Sequence, residues 1–118
     1  MHMSTNAVYY TGDSIPFRVQ LKVGTAVEVV LPGSVVTACL ATNDSEATML
    51  AGPWLVSSET VGSDWLNGVV IAWVDGDDTL DLDPQTAVLE IQMQKDDTVR
   101  TWRAKPLISI KRGTLPND

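Results

Sequence analysis

Hydrophobic and polar positions alternate most cleanly in SIPFRVQLKV, where Ile15, Phe17, Val19, Leu21 and Val23 are separated by Pro16, Arg18, Gln20 and Lys22. A period of two puts one set on one face, so the segment predicts a strand buried on one side. Pro16 near its start suits a strand beginning or a sheet edge. After Gly24 the period resumes in AVEVVL, until Pro32-Gly33 stops it. AVLEIQMQ alternates as well, with Leu89, Ile91 and Met93 inward and Glu90, Gln92 and Gln94 outward. Lys95-Asp96-Asp97-Thr98 predicts a hairpin turn into VRTWRA, Pro106 interrupts, and LISIKRG is a last short strand.

The middle of the chain is less regular. SVVTACLAT is apolar on both faces, as an inner strand would be, and NDSEAT is a solvated connection. MLAGPWLVSSETV is broken at Gly52-Pro53, with Trp54 and Val56 its expected inward residues. In GSDWLNGVVIAW, Trp65-Leu66-Asn67-Gly68 carries a tight-turn signature, because Asn and Gly tolerate positive φ. VVIAWV then predicts a strand with Val69, Ile71 and Trp73 on one face, and Trp73 is expected inside. DGDDTLDLDPQT has no helical stripe and predicts a connection.

No segment shows a 3.6-residue period. Seven to eight strands with turns every eight to twelve residues predict an all-β fold, an antiparallel immunoglobulin-like β-sandwich. The lone cysteine argues against the antibody type. The expected core is Phe17, Val19, Leu21, Val36, Ala38, Leu40, Ile71, Trp73, Leu89, Ile91 and Trp102. Residues 1–8 are expected to be a flexible segment that includes a cloning remnant (MHM), 9–113 the domain, and 114–118 a tail.

Composition narrows the function classes. The chain has 118 residues, 44% of them hydrophobic, which is enough to bury one core. A net charge of −7 disfavours nucleic acid and anionic lipid as partners, and no apolar run approaches membrane-spanning length. Cys39 is alone and reads as core filling rather than a reactive thiol, and the one histidine is His2. These counts leave no zinc set and no histidine-dependent triad, so neither metal, cofactor nor enzymatic activity is expected. The acids Asp75, Asp77, Asp78, Asp81 and Asp83 do not fit a calcium loop, since Leu80 stands at its sixth position and Thr86 at its twelfth. They read as a solvated loop.

Two features point outward. Trp54 and Trp65 lie beside turns, where an indole can reach the surface to meet a partner subunit or to serve as a platform for a glycan or cell-surface partner. From Thr98 to Gly113 come Arg100, Arg103, Lys105, Lys111 and Arg112 with no acid. Such segregation suits contact between subunits of opposite local charge, with Arg100, Arg103 and Lys111 as contributors.

The order of these pieces resembles small immunoglobulin-like domains of tailed-phage tail proteins, as at the N-terminus of upper-baseplate and tail-fibre-attachment proteins. The likeness lies in TGDSIPFRVQL as a first strand led by Gly-Asp, then SVVTACLAT, then NGVVIAWV with an acidic loop containing Thr79 and Leu80. It closes with the hairpin AVLEIQMQKDDTVRTWRAKPLISIKRG, and covers Tyr9 to Gly113. The stretch from Asp44 to Asp64 departs from the pattern by its Gly-Pro-Trp break and added length. The resemblance implies a structural virion component, made in the bacterial host cytoplasm and placed in the tail. Its implied partners are other tail or baseplate proteins and copies of itself, as a trimer or higher ring.

Overall fold

The computed structural model describes residues 6–113; the expected remnant at 1–5 and the tail at 114–118 lie outside the described residues. Ten strands form: β1 (Ala7–Tyr10), β2 (Ile15–Gln20), β3 (Lys22–Val23), β4 (Ala26–Val27), β5 (Val35–Thr42), β6 (Met49–Val56), β7 (Val69–Val74), β8 (Gln85–Lys95), β9 (Thr98–Arg103) and β10 (Ile108–Lys111). Among the described residues there is no α-helix, only short 3-10 turns at Trp65–Asn67 and Gly76–Asp78. The fold is all-β, as the alternation predicts. The strand count exceeds seven to eight for two reasons. The expected strand SIPFRVQLKV divides after Gln20, its Lys22–Val23 part forming a small β3–β4 hairpin around Gly24, and β1 is an added strand that the sequence pattern did not predict. β1 also begins at Ala7, ahead of the expected domain start at Tyr9.

The larger sheet has the order β1-β10-β8-β5-β6, with β9 also on β8. β8 runs for 11 residues, long enough to hold both late strands on one edge. Its start pairs β10 through Gln85, Thr86 and Ala87, and its second half pairs β9 from Glu90 to Lys95. β5 lies along the other edge of β8, with Val36, Ala38 and Leu40 opposite Met93, Ile91 and Leu89. β6 continues the sheet beyond β5, and its register shifts near Leu40 carry the chain past Gly52-Pro53 without ending the strand. One pairing corrects the antiparallel expectation: β1 runs parallel to β10, Ala7 beside Ile108 and Tyr9 beside Ile110. Parallel neighbours need a long connection between them, and here the whole intervening chain supplies it.

The second sheet contains only β2 and β7. Leu21 N–H bonds the Gly68 carbonyl at 2.8 Å, so odd-numbered residues of β2 bond toward β7 and even-numbered ones point to the free edge. Pro16, which has no N–H to offer, therefore sits on the open side and blunts it. Gly68 itself, at φ 72°, closes the 3-10 turn that starts β7. A side chain there would collide with the Glu28 carbonyl and the Val27 side chain.

Residues from both sheets share one core. Leu21, Val36, Ala38, Leu40, Leu89 and Ile91 are buried in it as expected, and Phe17, Val19 and Trp102 pack against it half-buried. Cys39 projects from the opposite face of β5 and is half-buried beside Glu90, so it does not fill the core.

The phase assigned to β7 is overturned. Val70, Ala72 and Val74 face the core, and Trp73 is 50% exposed on the outer surface. Ile71 is buried, but under the chain near Gly62 rather than in the core cluster. VVIAWV is apolar on both faces and carries no phase of its own. Its phase comes from pairing, since Phe17 faces Ala72 and Val19 faces Val70. A slip of one residue exchanges the faces of the whole strand.

One polar cluster ties the turn between β1 and β2 to the acidic loop after β7. Tyr9, 1% exposed, places its hydroxyl 2.6 Å from the Asp13 carbonyl and 2.7 Å from Thr79 Oγ1. Thr79 Oγ1 accepts from Gly12 N–H at 2.9 Å and donates to the Gly76 carbonyl at 3.0 Å. Burial pushes the Tyr9 phenol above its ordinary 10.0, with Asp13 and Asp75 adding to the rise and the Thr79 hydrogen bond opposing it. The folded chain therefore holds this proton after the unfolded chain has released it. The contribution to stability is complete below the unfolded value and is lost as pH rises through the folded one. Denaturant titrations from about pH 9 to 11 are expected to show falling stability, with a shallower fall in Tyr9→Phe. Equal slopes for the two proteins would show that Tyr9 does not govern this limb.

Candidate interaction surface

The residues that the sequence singles out do not converge. Trp54 lies on β6 with its ring against the core, and its indole N–H donates to Asp78 Oδ2 at 2.8 Å. Trp65 opens the 3-10 turn before β7 and is also half-buried against the core. Arg100 and Arg103 leave opposite faces of β9, as their odd separation requires. Arg100 pairs with Glu28 at 3.4 Å. Arg103 holds its own chain: it donates to the Thr42 carbonyl at 2.8 Å and the Asp44 carbonyl at 3.1 Å, and lies 3.5 Å from Glu90. It thereby fixes the β5–β6 connection. Lys111 ends β10, exposed, and has no ion pair among the described residues.

The acidic loop has local work. Asp75 accepts from Asp77 N–H at 3.0 Å, Asp78 receives Trp54, and Asp83 pairs with Arg112 at 2.8 Å. No cluster of three or more metal-ligating side chains occurs among the described residues, and no helix among them is long and apolar enough to cross a membrane. On the outer face of the larger sheet, burial and the neighbouring Glu90 carboxylate push the Cys39 thiol up. A raised thiol stays protonated near neutrality and is a poor nucleophile.

What sequence reasoning missed is the outer face of β2–β7. Pro16 lies opposite Trp73 and Arg18 opposite Ile71. With Thr60 and Val61 they line a shallow groove of about 340 Å³. Val61 is 95% exposed, so a valine and a tryptophan stand open side by side. The register of β7 against β2 was the signal that could have found it, because Phe17 fixes the phase of β2 and hence of its partner.

A second concavity lies at one end of the sheets, where the segment from Val30 to Ser34, the end of β6 and the Trp65 turn meet around about 640 Å³. Val30, Val36 and Val56 are its buried apolar residues, while Leu55, Leu66 and Val35 stand exposed around it. No protein-family model, curated protein or solved structure matches this chain. The interaction surfaces must therefore be read from their own chemistry.

Proposed function

We propose that the chain is a non-enzymatic structural module of a phage or prophage tail or baseplate. It acts by protein–protein contact with other tail components and with copies of itself, and resides in the virion tail after synthesis in the host cytoplasm. The observation that carries the contact role is the Trp73–Val61 surface. Large exposed apolar side chains grouped on one face are unusual for a chain that works alone, and tryptophan is among the residues that anchor interfaces most strongly.

The strand arrangement supports an immunoglobulin-like sandwich, with β2–β7 against a larger sheet closed on one side by a parallel first strand. The residues that carry the resemblance to phage tail domains meet in the fold. Its leading Gly12-Asp13 and its Thr79 are hydrogen-bonded partners through Thr79 Oγ1 and Tyr9. The glycan reading finds less support at Trp54 and Trp65, because both rings pack against the core.

Light scattering at high protein concentration and low salt tests the self-contact. The native chain is expected to exceed monomer mass, as a trimer or higher ring, with salt weakening the contribution of Lys111. Trp73→Ser should return it to monomer while changing stability by no more than about 1 kcal/mol. A native chain that stays monomeric throughout would overturn self-assembly.

A further inference from the structure

We propose that the end cleft is a second binding site, which takes a peptide segment carrying an apolar side chain next to a lysine or arginine. This site is distinct from the Trp73 face and does not depend on the phage reading. Its walls are built rather than loose. Val30 N–H bonds the Trp65 carbonyl at 2.8 Å, and Val36 pairs with Val56 across β5–β6. Ser63 Oγ, at 2.6 Å from the Ser58 carbonyl and 2.7 Å from that of Thr60, holds the chain beyond β6 in place.

Three properties select the occupant. The first is apolar: Val30, Val36 and Val56 are all but excluded from water, and Leu55 at 77% and Leu66 at 66% exposure stand free around the same opening. An apolar side chain placed there removes surface from water on both partners. The second is charge. Glu59 and Asp64 line the cleft, no lysine, arginine or histidine does, and neither acid has an ion pair among the described residues. Asp64 is held by Asn67, whose side-chain amide donates to it at 2.8 Å, and Glu59 is exposed. A cationic neighbour to the apolar anchor is the complement of this arrangement.

The third is hydrogen bonding. Ser34 Oγ and Trp65 Nε1 are buried without a hydrogen-bond partner, and both side chains line this cleft. Among the described residues these are the buried side-chain polar atoms left unsatisfied. An unpaired buried donor is costly to maintain. Both atoms are closed to solvent, so only an occupant that shifts the cleft wall can reach them, and a peptide brings backbone carbonyls as acceptors where a hydrocarbon brings none.

The test uses the full chain, dilute, labelled with nitrogen-15, so that the Trp65 indole signal reports the cleft and the Trp73 indole signal reports the other face. The probes are acetyl-Gly-Leu-Lys-Gly-amide, its Leu-Glu counterpart and its Ser-Lys counterpart. The Leu-Lys peptide is expected to move the Trp65 signal saturably and leave that of Trp73 in place. The other two should bind at least about tenfold more weakly. Glu59→Lys changes an exposed side chain, keeps the dispersed spectrum of the fold, and should remove the preference for Leu-Lys over Leu-Glu. No saturable shift, equal response to the three peptides, or an unchanged preference in Glu59→Lys would each overturn the proposal. Because the titration is made on dilute chain, its failure leaves the Trp73 self-contact standing, and a monomeric native chain leaves this site standing.

Discussion

Ile91→Ala is expected to lower the free energy of unfolding by roughly 2–5 kcal/mol, whereas Trp73→Ala should lower it by less than about 1 kcal/mol. The larger side chain gives the smaller loss because of where each sits. Ile91 has no exposed surface and lies mid-way along β8, between Ala38 of β5 and Trp102 of β9. Its removal leaves a hole bordered on two sides by strands whose hydrogen bonds hold them apart, so collapse cannot fill it. Trp73 already meets water over half its surface and points away from that core. Urea titrations of the two variants compare them directly. A larger loss for Trp73→Ala than for Ile91→Ala would return the tryptophan to the interior and reverse the phase of β7.

Gly76→Ala is expected to be the most damaging single-methyl addition, costing about 3 kcal/mol or more. A Cβ at this position would fall on the carbonyl group of Gly12 and crowd the backbone of Asp13. Backbone cannot swing aside as a side-chain tip can, so the turn between β1 and β2 must lift away from the acidic loop. That movement also separates Gly12 N–H from Thr79 Oγ1 and Gly76 N–H from Ser14 Oγ, bonds of 2.9 Å each. Thr79→Val isolates the polar share of the effect. It keeps the shape but leaves Gly12 N–H without its acceptor, while Tyr9 keeps its bond to the Asp13 carbonyl, for a loss of about 1–3 kcal/mol. Thermal unfolding of both variants measures the two losses. A Gly76→Ala protein as stable as the native one would mean that the two turns are not in contact.

These residues also mark where sequence reading succeeds and where it stops. Strands with polar residues on one face, β2 and β8, declare their inward side directly: Phe17, Val19, Leu89, Ile91 and Met93 lie inward or against the core. β7 does not, because valine, isoleucine, alanine and tryptophan on both faces leave the phase to a partner far away in sequence. β1 is four residues long with little alternation, so nothing local announces that it will lie parallel to β10. The basic stretch after Thr98 was visible as charge. That Arg103 would bind the carbonyls of Thr42 and Asp44 was not, since carbonyl acceptors carry no mark in the sequence. The end cleft was legible only as Trp65 beside a turn. Its depth depends on three segments meeting, which is a property of the tertiary fold.

The parallel seam between β1 and β10 has a mechanical consequence. Because the two strands run the same way, chain leading into Ala7 and chain leaving Lys111 depart from opposite ends of the seam. Tension applied through those two ends pulls the strands past each other lengthwise. The bonds from Ala7 N–H to the Leu107 carbonyl and from Thr11 N–H to the Lys111 carbonyl, with those between them, are then loaded together. An antiparallel pair pulled in the peeling direction would yield one rung at a time; this seam must give way all at once. Pulled through those two ends, the chain is expected to resist extension until the whole seam fails.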